Sequence, residues 1–172
     1  MTRRITHSCR LLVLCLFCAV LSLGACETVP SIGVDCSNTL NATSFGFSLT
    51  VPPSYSCIDV APNDALLLSV RYREADTNYI CSIIVGPDSG EDIAADTDTA
   101  NVDELDGSTN AHDVSFRRFK LEATDVDAVG YVGLATLPSG NLLSVSMGFT
   151  EDNAAMLSDL DAILATVQFA EN

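Results

Sequence analysis

The spacing of apolar and polar side chains changes character several times along this chain. Leu11 to Leu23 is an apolar run broken only by Ser22, shorter than the roughly 20 residues a helix needs to span a bilayer. Residues 27–43 are small and polar, hold Pro30 and Gly33, and show no period, which reads as a tether. From Phe45 the pattern becomes regular. Phe45, Phe47, Leu49 and Val51 alternate with Gly46, Ser48 and Thr50 until Pro52-Pro53 ends the run, the period of two expected of a half-buried strand. After a short segment at Cys57–Val60, two β-prone runs follow, Ala65–Arg73 and Tyr79–Val85, joined by residues 74–78 as a hairpin. Val114–Leu121, Ala128–Leu137 and Leu142–Phe149 read as three further strands, the last two linked by a turn at Pro138-Ser139-Gly140-Asn141. In the last of them Leu143, Val145, Met147 and Phe149 share one face, with Ser144, Ser146 and Gly148 on a lightly covered other face. Leu157, Leu160, Ile163, Leu164 and Val167 then recur at helical spacing behind an N-cap at Thr150, which predicts a C-terminal helix lying across a sheet. The expected class is α+β: a largely antiparallel sheet of about six strands with that helix packed on it. Between the strands, residues 86–112 hold eight acidic residues and no Lys or Arg. This stretch reads either as a short middle helix near Glu91–Leu105 or as a mobile surface loop.

Charge and the cysteines change the picture at the N-terminal end. Arg3, Arg4 and Arg10 precede the apolar run, and no acidic residue comes before Glu27. A basic start, a short apolar stretch and small residues at Gly24 and Ala25 are the parts of a secretory signal peptide. The sequence Leu23-Gly24-Ala25-Cys26 resembles the lipobox of bacterial lipoproteins. That resemblance implies a thiol at Cys26 that carries diacylglycerol and a cut just before it. The chain then divides into a signal at 1–25, a lipidated N-terminus and tether at 26–43, and one globular domain at 44–172. Removing the signal takes away three of the eight basic residues and none of the 23 acidic ones, so the formal charge falls from −15 to −18. A polyanion of this kind is repelled by phosphate backbones and by anionic head groups. Nucleic acid is excluded as a partner, and contact with a membrane must come through the lipid on Cys26. Glu27 in place of aspartate after the cysteine points to the outer membrane instead of the inner one.

An exported chain is exposed to an oxidising compartment, so two of the three cysteines beyond Cys26 are expected to pair. Cys81 lies within an apolar run that reads as a central strand, where a free cysteine behaves as a small buried hydrophobe. Cys36 and Cys57 flank the opening strand, and their pairing is the expected disulfide, with Cys57–Cys81 as the alternative.

The chemistry available to catalysis is thin. The chain beyond the signal has one histidine, His112, and one lysine, Lys120. No G-x-S-x-G elbow presents a serine, no cluster of Cys and His has zinc spacing, and no Gly-rich loop cradles phosphate. Catalytic residues and a cofactor are expected to be none. The acidic stretch sets Asp96, Asp98, Asp103 and Asp106 within eleven residues, hard ligands of the type Ca²⁺ takes. Ala100, Asn101 and Gly107 break the EF-hand pattern, however, and a solvated anionic face is the plainer reading. Arg117, Arg118 and Lys120 crowd into one strand, Arg118 and Lys120 on one side and Arg117 on the other. They read as partners of nearby carboxylates or as a small basic spot. Asp125 and Asp127 are a carboxylate pair that acid–base chemistry would need to draw on.

The opening Phe45-Gly46-Phe47-Ser48-Leu49-Thr50-Val51-Pro52, the late hairpin Gly130–Phe149, and the closing helix with Ile163-Leu164-Ala165-Thr166-Val167-Gln168-Phe169 come in that order. Together they resemble the α/β/α sandwich of PsbP, the photosystem extrinsic protein, and of related bacterial lipoproteins, over about residues 44–170. Tyr55 stands near where such proteins carry a tryptophan, and this chain has no tryptophan. The resemblance implies a binding or assembly module of the cell envelope with a protein partner, and no enzymatic activity. The alternative is a small-ligand-binding protein or a carboxylate-based enzyme.

Overall fold

The computed structural model describes residues 37–60, 66–76, 79–88, 100–149 and 154–170. Ten strands and one helix make up these residues. A seven-stranded antiparallel sheet has the order β3-β4-β5-β9-β8-β7-β6, and a smaller sheet has the order β1-β2-β10. The strands of the small sheet are β1 (Thr39–Ala42), β2 (Phe47–Thr50) and β10 (Gln168–Phe169). Those of the large sheet are β3 (Tyr55–Val60), β4 (Leu68–Glu74), β5 (Ile80–Pro87), β6 (Ala100–Thr109), β7 (Ser115–Ala123), β8 (Val129–Thr136) and β9 (Asn141–Phe149). The helix α1 (Ala154–Leu164) follows β9. The α+β class, the mainly antiparallel sheet and the C-terminal helix agree with the sequence reading, while ten strands replace about six.

Alternation explains how the large sheet meets its cover. Leu68, Val70 and Tyr72 on β4 are buried and alternate with half-exposed Ser69, Arg71 and Arg73. In register with Tyr72 lie Cys81, Met147 and Tyr131, and in register with Val70 lie Ile83, Val145 and Gly133. These side chains form one face, and they join Leu40, Phe47, Leu49, Met156, Leu160, Ile163 and Leu164 in the main core. The helix and the small sheet therefore cover the same face of the large sheet. Met156, Leu160, Ile163 and Leu164 recur at i, i+4, i+7 and i+8, the stripe a helix needs to lie on a sheet. Gly133 sits under that stripe. A Cβ built there would meet Leu164 Cδ1 at 2.6 Å and Cδ2 at 2.8 Å, so the close approach of helix to strand requires glycine.

Two polar side chains hold the helix end in place. Asn110, in the turn between β6 and β7, donates through Nδ2 to the carbonyls of Leu164 and Val167, both at 2.8 Å. Its Oδ1 accepts from the amides of His112 and Val114, so one side chain satisfies four backbone groups. Thr166 Oγ1 accepts from the Thr50 amide at 2.8 Å, which ties the same helix end to the small sheet.

Four expectations need correction. Thr39–Ala42, read as part of the tether, is a strand paired with β2, with Leu40 and Ala42 fully buried. Two apolar positions are too few for the alternation to show in the sequence. Over residues 100–105 the middle helix gives way to strand β6, paired with β7. Val102 and Leu105 are three apart and mimic a helical spacing, but β6 is an edge strand that shifts register between Leu105 and Ser108, the usual way an edge is bent and blunted. The rest of that expected helix lies outside the described residues. Ser144 and Ser146 are 2% exposed and not lightly covered. The close of the chain is strand β10 and not a continuation of the helix.

Candidate functional site

The residues singled out from sequence do not converge. Cys26, Cys36, Asp96 and Asp98 lie outside the described residues. Asp103 and Asp106 stand exposed on β6, so they belong to an extended strand and not to a loop that curls round an ion. Among the described residues no group of three or more His, Cys, Asp or Glu is placed to hold a metal. Asp125 and Asp127 lie in an exposed bend between β7 and β8. His112 is exposed, with its Nε2 3.1 Å from Gln168 Nε2.

The basic residues of β7 are paired, as the plainer reading expected. Arg118 reaches Asp161 on the helix, Arg117 Nε lies 3.0 Å from Glu104, and Lys120 Nζ lies 2.9 Å from Glu122. Arg118 and Arg117 point to opposite faces as the pleat requires. Arg117 also stacks 5.0 Å from the centre of the Phe119 ring. Arg71 pairs with Asp59. Arg73 has no ion-pair partner among the described residues, and its Nε is buried without an acceptor.

An interior polar contact lies where β3 and β5 meet the helix. Tyr55, 1% exposed, donates from Oη to Asp159 Oδ2 at 2.8 Å. Burial, then the hydrogen bond and charge of Asp159, push the Tyr55 phenol well above its ordinary value. Burial, then the Asp159 charge, push the Cys81 thiol up to about 12. Both groups stay neutral at physiological pH and act as core, and Cys81 is a free, buried cysteine as expected. Neither is a nucleophile open to a substrate.

A cleft bounded by described residues opens elsewhere, at the other end of β1 from Ser37. It measures about 380 Å³ and is lined by Thr43, Ser44, Phe45, Gly46, Pro138, Ser139, Asn141 and Ala170. One wall is the single 3₁₀ turn Thr43–Phe45 between β1 and β2, closed by Gly46 at φ 76° with its amide on the Thr43 carbonyl. The other wall is the β8–β9 turn, closed by Gly140 at φ 82° with its amide on the Leu137 carbonyl. Asn141 Nδ2 lies 3.2 Å from Ser139 Oγ, and the Ala170 amide donates to Gly46 O, so the C-terminal segment completes the rim. None of these described lining residues carries an ionisable side chain. Sequence reasoning identified Pro138-Ser139-Gly140-Asn141 as a turn, but the pairing of that turn with Thr43–Gly46 is a long-range contact that carries no local signal.

No known protein family matches the chain, and no curated protein is similar to it.

Proposed function

We propose that the protein is a non-enzymatic lipoprotein of the cell envelope that binds or helps assemble another component, anchored through a lipid on Cys26. The observation that carries this reading is the sequence Leu23-Gly24-Ala25-Cys26 behind a basic start and a short apolar run. Among the described residues no helix is long and apolar enough to cross a membrane. The first described strand begins at Thr39, thirteen positions after Cys26. Support for a PsbP-like relationship comes from the aromatic strand β2 ending before Pro52-Pro53 and from the C-terminal helix packed on β8, β9 and β2. Glu27 favours the outer membrane. The neutral cleft favours a small-ligand form of the binding reading over an enzyme built on carboxylates.

Replacement Cys26→Ser tests the anchor. The variant should take up no labelled fatty acid and should accumulate uncleaved or leave the membrane fraction. Normal labelling and retention of Cys26→Ser would end the lipoprotein reading.

The same reading pins the tether to the sheet through a disulfide between Cys36 and Cys57. Cys81 is free and buried, which leaves Cys57 as the described cysteine that would take a partner. Ser37 supports Cys36 as that partner. Tyr72 Oη donates to the Ser37 carbonyl at 2.9 Å, and Tyr72 stands directly across the ladder from Cys57. Asn38 Nδ2 donates to the Tyr55 carbonyl at 2.9 Å, which holds the next residue against the same strand. A loop of about 20 residues closed in this way contributes roughly 3 kcal/mol in the chain-entropy account. A non-reduced digest should yield a Cys36–Cys57 peptide, and reduction should lower the unfolding free energy by about that amount. Alkylation of Cys36 in the native protein would refute the pairing.

A further inference from the structure

We infer that the cleft between the Thr43–Gly46 turn and the β8–β9 turn is a binding site for an uncharged, polyhydroxylated ligand, the exposed end of a carbohydrate. This rests on the binding reading above and names the ligand class. The first reason is charge. The mature chain carries 23 acidic residues against five basic ones, yet none of the described lining residues is ionisable. An anion would meet a repelling field, and the described lining residues offer no cation to hold it and no carboxylate to attract a cation.

The second reason is the character of the lining. Thr43, Ser44 and Ser139 each present a hydroxyl that can both donate and accept, and Asn141 adds an amide with two donors and an acceptor. Asn141 Nδ2 already lies 3.2 Å from Ser139 Oγ, but a purely apolar ligand would still strip water from the Thr43 and Ser44 hydroxyls without replacing its hydrogen bonds. Phe45 and Pro138 supply apolar surface beside them. Hydroxyls set among carbon faces are what a sugar ring presents, and the lining complements both.

The third reason is preorganisation. Each turn closes on its own backbone hydrogen bond, and Ala170 bonds across to Gly46. The walls therefore need little ordering on binding, which lowers the entropic cost of holding a ligand. The volume, about 380 Å³, lies at the small end of ligand sites.

The experiment uses the mature protein, followed by amide NMR while diacetylchitobiose, maltose, sodium gluconate or hexanol is added to tens of millimolar. Either neutral sugar should shift the amides of residues 43–46, 139–141 and 170 in a saturable way, while gluconate and hexanol do not. Asn141→Ala should weaken that binding about 5- to 10-fold, the loss of about one hydrogen bond, with the rest of the spectrum unchanged. Co-sedimentation with an insoluble cell-wall glycan then separates a polymer source from a free oligosaccharide. No shift with either sugar, or equal response to gluconate or hexanol, would overturn the assignment. The titration is repeated on Cys26→Ser, so that loss of the anchor and loss of the site are read separately.

Discussion

Replacing Gly133 by valine should cost at least about 4 kcal/mol, in the range reserved for severe core defects. Even the first added carbon would stand 2.6 Å from Leu164 Cδ1. Leu164 is 2% exposed and shares the core with Met156, Leu160 and Ile163, so it has nowhere to retreat. Relief requires the helix to lift from β8, which also strains the contacts of Asn110 with the carbonyls of Leu164 and Val167. Overpacking by small additions typically costs 1–3 kcal/mol. Alanine at this position should fall in that range, and valine, with two further methyl groups, beyond it. Urea unfolding measures both, with the melting temperature of a domain this size falling roughly 2–4 °C per kcal/mol. Leu164→Ala should restore part of the stability of Gly133→Ala, because it removes the atoms that clash. A Gly133→Ala protein as stable as the parent would mean that the helix does not approach β8 in this way.

The second large effect is alkaline. Cys81 is raised from near 9 to about 12 in the folded protein, while an unfolded chain ionises it near its ordinary value. A folded value above the unfolded one means that the folded state keeps the proton longer. The stability linked to Cys81 is therefore whole below about pH 9, declines as the pH rises from 9 to 12, and is gone above that. Three units correspond to on the order of 4 kcal/mol. Tyr55 acts in the same direction from about pH 10 upward, since its phenol is also raised. Unfolding free energies measured between about pH 8 and 11 should decline steeply in the parent protein and less steeply in Cys81→Ala. Equal slopes would show that the thiol is not sealed in the core. Below pH 9 the native thiol should also resist alkylation, since it is fully buried.

What the sequence determined by itself was local. The alternation at Leu143–Met147 marked a strand and its apolar face, because a period of two puts every second side chain on one side of a pleat. The β-prone run Tyr79–Val85 marked a central strand, and the stripe through Leu160 and Ile163 marked the helix. Arg118 and Arg117 could be set on opposite faces from their adjacency alone. Tertiary structure decided everything that depends on distant partners. Thr39–Ala42 is a strand because β2 offers it a ladder, although its own four residues show too little pattern. Val102 and Leu105 lie in a strand because β7 pairs with them, against a spacing that suited a helix. Gly133 was silent in the sequence, because its role lies in the nearness of Leu164, thirty-one positions later. The cleft was silent for the same reason. Thr43–Gly46 and Pro138–Asn141 are each ordinary turns, and only the packing of the small sheet against the end of β8 and β9 brings their hydroxyls and amide to one place.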